Sequence, residues 1–183
     1  KLQRRCKVYP LMVHKSLTIT KNKPTLEIDY RLTNLSDETL EYHYSGHNTL
    51  HMNPNYRILL PHDVKSVKRG MSITDRLGNL GDEIAWPITK DVDGRMVDLS
   101  KVGQPNEGTG ENLYTQALRE SWCAAFNESR GEAIGFSFDA KVLPYLLVWI
   151  NWGGYLGYYH MALEPSTGRP DNLDLAVNQW KNY

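Results

Sequence analysis

The feature that most constrains this chain is a period of two in its hydrophobicity. In "LEIDYRLT", Leu26, Ile28, Tyr30 and Leu32 alternate with Glu27, Asp29, Arg31 and Thr33. Successive side chains of extended backbone point to opposite faces, so this pattern describes a half-buried antiparallel strand. The longer stretch "HKSLTITKNKPTLEIDY" reads as two such strands joined by a turn at Lys21–Pro24. "NLSDET" is the next turn and "LEYHYSGH" the next strand. "ESWCAAFNESRGEAIGFSFDA" is a hairpin turning near Ser129–Gly131. "PYLLVWINWGGY" is apolar on both faces, as a strand covered on both sides must be. Helical spacing is confined to Asp171–Trp180, with Asp171 or Asn172 as the cap. Gly70–Gly110 shows no sustained period and reads as a long irregular loop. These signals predict an all-β chain of two packed antiparallel sheets, in a single domain over residues 1–183.

Charge and cysteine usage narrow the function classes. Lys+Arg and Asp+Glu are both 21, for a formal net charge of zero. That gives no electrostatic case for nucleic acid or for an acidic membrane surface, and neither is an expected partner. The longest apolar run, Tyr145–Ile150, is far short of the ~20 residues that span a bilayer. The start, "KLQRRCKVY", is basic but lacks a signal peptide's apolar segment. Cys6 and Cys123 make neither a disulfide framework nor a metal knuckle, and read as reduced core thiols. A cytoplasmic location is the resulting expectation.

Three groups of residues could carry chemistry. In "HMALEPSTGRPDNLD" a strand ends in Glu164, and Pro165, Gly168 and Pro170 then turn the chain. Alternation puts His160, Ala162 and Glu164 on one face and Tyr159, Met161 and Leu163 on the other. A carboxylate fixed between a strand and a Pro turn has the preset geometry of a general base. The competing structural reading is a glutamate that caps a loop or pairs with Arg169. His43, His47 and His51 recur at steps of four, which keeps all three on one face of an extended strand. That strand would hold its end histidines ~26 Å apart at ~3.3 Å per residue, so no single metal ion takes all three unless the chain bends sharply, and no metal is expected; one of them as a catalytic or substrate-binding residue competes with solvated strand histidines, the default. Trp149 and Trp152 fall on opposite faces, so at most one can face a cleft; an aromatic ring there would stack on the apolar face of a sugar.

"HMALEPSTGRPDNLD" resembles the C-terminal signature of the aldose 1-epimerase (galactose mutarotase)-like proteins, in which a strand delivers a glutamate followed by a Pro-Asp turn. "LEIDYRLTNLSDETLEYHYSGHNTLHMNPNYRILLP" resembles that family's strand, Asn-Ser turn, histidine, loop and second strand. "PYLLVWINWGG" resembles the strand before the glutamate. The resemblance runs from about Leu17 to Leu175. It implies the large antiparallel β-sandwich of that family, the supersandwich, lacking N-terminal strands. Residues 1–183 would then be the C-terminal two thirds of such a domain. It implies anomer interconversion of a free sugar or sugar derivative by ring opening. Glu164 and His47 would be the catalytic residues, Glu164 as base and His47 orienting the substrate. His51, Trp149, Trp152, His160 and Asp171 are the candidate substrate-binding residues, and no cofactor is implied. The family's mid-chain histidine acid has no counterpart, because no histidine lies between His62 and His160. That difference leaves a non-catalytic carbohydrate-binding or accessory β-sandwich module as the alternative.

Overall fold

The computed structural model describes residues 1–181 and is all-β apart from one short helical segment. Where the sequence suggests one domain, the chain forms two compact units, Lys1–Tyr42 and the remainder from His43. The first is a three-stranded antiparallel sheet of β1 (Leu2–Arg5), β2 (Leu11–Ile19) and β3 (Leu26–Asn34), in the order β1-β2-β3. The Lys21–Pro24 turn joins β2 to β3 as the alternation predicts, with Ile19 opposite Leu26 and Leu17 opposite Ile28. The expected half-burial of β3 does not hold. Leu26, Ile28 and Tyr30 remain 51%, 39% and 42% exposed, because the unit is one sheet thick and alternation alone supplies no second layer. Cys6 belongs to this unit and is only partly buried, so just one of the two free thiols, Cys123, is a core residue.

The second unit contains β4 (Asn48–Leu50), β5 (Tyr56–Leu59), β6 (Ser66–Ser72), β7 (Glu83–Ala85), β8 (Ile88–Lys90), β9 (Met96–Asp98) and β10 (Thr109–Thr115). It continues with β11 (Trp122–Asn127), β12 (Glu132–Ser137), β13 (Tyr145–Trp152) and β14 (Tyr159–Ser166). Its main sheet has the order β4-β14-β13-β10-β6-β7, and β12-β11-β5 makes a second sheet. The hairpin predicted around Ser129–Gly131 is β11–β12, with Asn127 opposite Glu132. The stretch read as one irregular loop, Gly70–Gly110, contains β7 and the β8–β9 hairpin; three-residue strands are too short to show a period.

The core lies between these two sheets. Val67, Leu113, Leu146, Val148, Ile150, Trp152, Met161 and Leu163 of the main sheet meet Ile58, Cys123 and Ala125 of the other. β13 is buried along almost its whole length on both faces, which is why its sequence shows no alternation. Its even-numbered residues face the core. Its odd-numbered residues Leu147, Trp149 and Asn151 share the opposite face with Asn112 and Tyr114 of β10 and with His160, Ala162 and Glu164 of β14. Asn172 caps the terminal helix α1 (Leu173–Leu175), accepting from the Leu175 N–H at 3.1 Å, and a wider turn continues to Trp180. Trp180 packs edge-on against Tyr114 and under the Lys68 ammonium, so this segment covers part of that second face. Among the described residues no helix is long and apolar enough to cross a membrane.

Ile150 is 1% exposed at the centre of the core strand. Ile150→Ala is expected to destabilise the second unit by about 2–5 kcal/mol, the usual result of emptying a packed core site. Urea denaturation, with the midpoint compared at unchanged slope, measures it.

Candidate functional site

The site is laid out along the outer edge of β14. Leu163 pairs with Asn48, Ala162 with Thr49 and Met161 with Leu50, and the isolated bridge Ser45–Ser166 keeps the same register. His47 therefore falls opposite Glu164 on one face of the sheet. Main-chain bonds hold the two segments together where regular pairing lapses. The Gly46 N–H donates to the Pro165 carbonyl at 3.0 Å, and the Thr167 N–H donates to that of Tyr44 at 2.9 Å. Asn48 Nδ2 donates to the Leu163 carbonyl at 3.1 Å. Pro165 has no N–H to offer, yet its carbonyl still anchors the neighbouring chain.

Glu164 is the buried centre of this arrangement. Its carboxyl Oε1 is 2.6 Å from His47 Nδ1, and Ser45 Oγ donates to Oε2 at 2.9 Å. The Glu164 side chain is 5% exposed, whereas the His47 ring is 58% exposed. A buried acid thus meets a largely exposed imidazole. Burial pushes the Glu164 carboxyl above its ordinary range; the His47 charge and the Ser45 and His47 hydrogen bonds oppose this, and Asp171 adds to it. The alternative pairing with Arg169 does not occur. The Arg169 guanidinium donates to the Thr115 carbonyl at 2.9 Å and lies over the Tyr145 ring.

The other candidate residues divide between the site and the rest of the fold. His43 Nε2 meets Ser166 Oγ at 2.7 Å, two residues beyond the glutamate, and burial lowers the His43 pKa. His43 and His47 both reach β14, but not as members of one regular strand: residues 39–44 are irregular and β4 begins only at Asn48. His51 lies one residue past β4, exposed and outside this hydrogen-bonded group. Trp149 is buried on the Glu164 face, where its indole N–H donates to His160 Nε2 at 3.0 Å. Tyr155 stacks edge-on against the same indole. Trp152 is not part of the site. It is 2% exposed, on the core face, packed against Tyr159, because three positions along a strand reverse the face. Asp171 is exposed; its carboxylate accepts from Asn112 Nδ2 at 3.1 Å and its N–H donates to the Tyr114 hydroxyl at 3.0 Å.

Sequence reasoning misses Ser45, Asn112, Tyr114 and Ser166. Ser45 and Ser166 are signalled only by their positions two residues from His47 and Glu164. Asn112 and Tyr114 sit in "TGENLYT", which is buried on both faces and so shows no clean alternation. Gly70 makes room for Tyr114: a Cβ there would stand 2.5 Å from the phenol ring. Among the described residues no three His, Cys, Asp or Glu side chains are arranged to hold a metal ion. What the face offers is a buried carboxylate with a raised pKa, three nearby imidazoles, an indole and amide and carboxylate groups. Such a surface can bind a polyhydroxylated ring and move a proton at one edge of it.

Comparison with known proteins finds the same architecture. The chain matches the crystal structure of a "putative aldose 1-epimerase" from Klebsiella pneumoniae subsp. pneumoniae with a TM-score of 0.67, over 100% of this chain, at 16% sequence identity. The chain spans 44% of that protein's length. The likeness shows a shared β-sandwich fold. No family model matches the sequence, and no curated protein matches it.

The raised pKa of Glu164 has a consequence for stability. A folded-state pKa above the unfolded value means that the folded protein holds the proton more tightly. The stabilisation is complete below the unfolded glutamate pKa of ~4.3 and is lost as pH rises through the folded value. Glu164→Gln removes this dependence. Its stability relative to wild type is therefore expected to be greater at about pH 7 than at about pH 4, as compared from urea midpoints at the two pH values.

Proposed function

We propose that this chain is an aldose 1-epimerase-like isomerase acting on a free sugar or sugar derivative. The observation that carries the reading is the His47–Glu164 pair: a buried carboxylate at a strand end, its pKa raised by burial, bonded at 2.6 Å to a largely exposed imidazole. The fold shared with the Klebsiella protein supports it.

The chemistry follows from these groups. Glu164, ionised, accepts the proton of the anomeric hydroxyl. The ring oxygen takes a proton from solvent water as the bond from the anomeric carbon to it breaks, giving the open-chain aldehyde. Rotation about the C1–C2 bond and closure on the other carbonyl face, with both transfers reversed, give the other anomer. His47 orients Glu164 through Nδ1. In its protonated form it carries a second N–H, on Nε2, that a sugar oxygen can meet. Trp149 supplies an apolar ring edge to the face of the sugar. Asp171, braced by Asn112 and Tyr114, accepts from hydroxyls.

A second reading is a sugar-binding module with the same face and no turnover. It is favoured by one observation, the lack of any histidine between His62 and His160 to act as a separate acid.

Polarimetry of freshly dissolved α-D-glucose and α-D-galactose tests the proposal. Wild type is expected to speed the approach to anomeric equilibrium, and Glu164→Gln to lower kcat by about 10²–10⁴-fold, the usual contribution of a general base. The acid limb of the wild-type rate profile is expected above ~4.3, the ordinary glutamate pKa, because Glu164 must be ionised to act. Sugar binding without any acceleration by wild type would instead establish the module. Normal turnover by Glu164→Gln would remove Glu164 from the base role.

A further inference from the structure

Trp149 and His160 meet across the β13–β14 ladder, with the indole Nε1 3.0 Å from His160 Nε2. An indole nitrogen can only donate. His160 Nε2 is therefore the nitrogen without a proton, and a neutral ring must carry its proton on Nδ1. Among the described residues, none accepts a hydrogen bond from Nδ1. The ring is half-buried on the face that carries Glu164, four residues along the same strand. Protonating Nε2 would set two N–H groups against each other. Burial and the charge of His47 act in the same direction, lowering the His160 pKa. Tyr158, its ring tilted at 6.2 Å, is a ring neighbour as Trp149 is.

We propose that Trp149 is a positioning residue that locks His160 as the Nδ1–H tautomer, so that His160 gives the sugar a neutral hydrogen-bond donor and not a proton. The identity of the ligand rests on the isomerase reading; the tautomer does not. The two histidines of the face then divide the work. His47 is bonded to the Glu164 carboxylate. His160, bonded to an indole, is the ring kept from carrying charge. His160 selects for an oxygen acceptor on the sugar, a hydroxyl or the ring oxygen. A ligand lacking that oxygen leaves a half-buried donor unpaired, and is discriminated against for that reason.

The test uses the full chain without sugar, in ¹⁵N–¹H correlation spectra of the histidine rings from about pH 8 to about pH 5. His160 is expected to show an unprotonated Nε2 and a protonated Nδ1, and to stay neutral below the ~6.5 of a free histidine. Trp149→Phe is expected to let the Nε2–H form appear and to move the titration back towards ~6.5. A wild-type proton on Nε2 would overturn the proposal, and that spectrum needs no variant to fold. So would a Trp149→Phe protein with an unchanged tautomer and titration. In the anomerisation assay, His160→Leu is expected to raise KM roughly tenfold, the size of one lost hydrogen bond, with a smaller fall in kcat. A fall in kcat of ~10²-fold or more at unchanged KM would make His160 the acid and overturn the donor role. If wild type shows the locked tautomer and its dependence on Trp149 but accelerates no sugar, the positioning role stands and the isomerase reading fails.

Discussion

The cross-strand pair of His47 and Glu164 is the constraint on which the rest of the site depends. A carboxylate removed from water is stable only where hydrogen bonds and an opposite charge replace its hydration. Glu164 finds both on one neighbouring segment, Ser45 on one oxygen and His47 on the other. That segment holds them there only because its register against β14 is constant from Ser45 to Leu50. A slip of one residue would turn His47 and Ser45 to the opposite face and leave Glu164 buried without partners. Leu50 and Met161, paired in this register, pack on the core side, so one register serves both the core and the His47–Glu164 contact on the other face.

The main sheet separates stability from chemistry by face. Val148, Ile150, Trp152, Met161 and Leu163 pack on one side; Trp149, His160 and Glu164 stand on the other, on the same strands. Trp149, His160 and Glu164 are thus aimed by β13 and β14, strands buried along most of their length. The covering of the second face is partial. Trp180 lies on Tyr114, and Tyr155 on Trp149, while the His47 ring reaches water. Buried polar groups with one open side are what a hydroxylated ligand needs, since it can replace water without stranding a donor or acceptor.

Much of this was legible in the sequence wherever the cause is local. The alternation of "YHMALE" places His160 and Glu164 on one face and Tyr159, Met161 and Leu163 on the other, because strand geometry alone decides it. Asn172 caps its helix for an equally local reason. The failures share a different cause. Leu26, Ile28 and Tyr30 have the pattern of a buried face, but burial needs a second layer that no periodicity encodes. Nothing local distinguishes Trp149 from Trp152 as the residue beside the site; the sheet's orientation decides it. Ser45 is 119 residues from Glu164 and Asn112 is 59 from Asp171, and neither short side chain carries a signature of its distant partner. His43, His47 and His51 do repeat at an even step, yet irregular backbone over residues 39–44 and the end of β4 give each a separate role.

The shared fold leaves the chemistry open, since one β-sandwich can carry many sites. The electrostatics of the face bear on it more closely. Burial pushes Glu164 up and pushes His43 and His160 down, and the charge of Asp171 opposes this at His43 but reinforces it at Glu164. Carboxylate and imidazole proton affinities, normally separated by about two pKa units, are thereby drawn together. Where donor and acceptor affinities approach one another, a proton passes between a weakly acidic hydroxyl and the protein with the least uphill cost. A purely structural ion pair would be expected to widen that gap, with the acid pushed down and the base pushed up. Here the carboxyl moves the other way while keeping an imidazole at 2.6 Å, because burial outweighs the His47 charge and the Ser45 and His47 hydrogen bonds that oppose it.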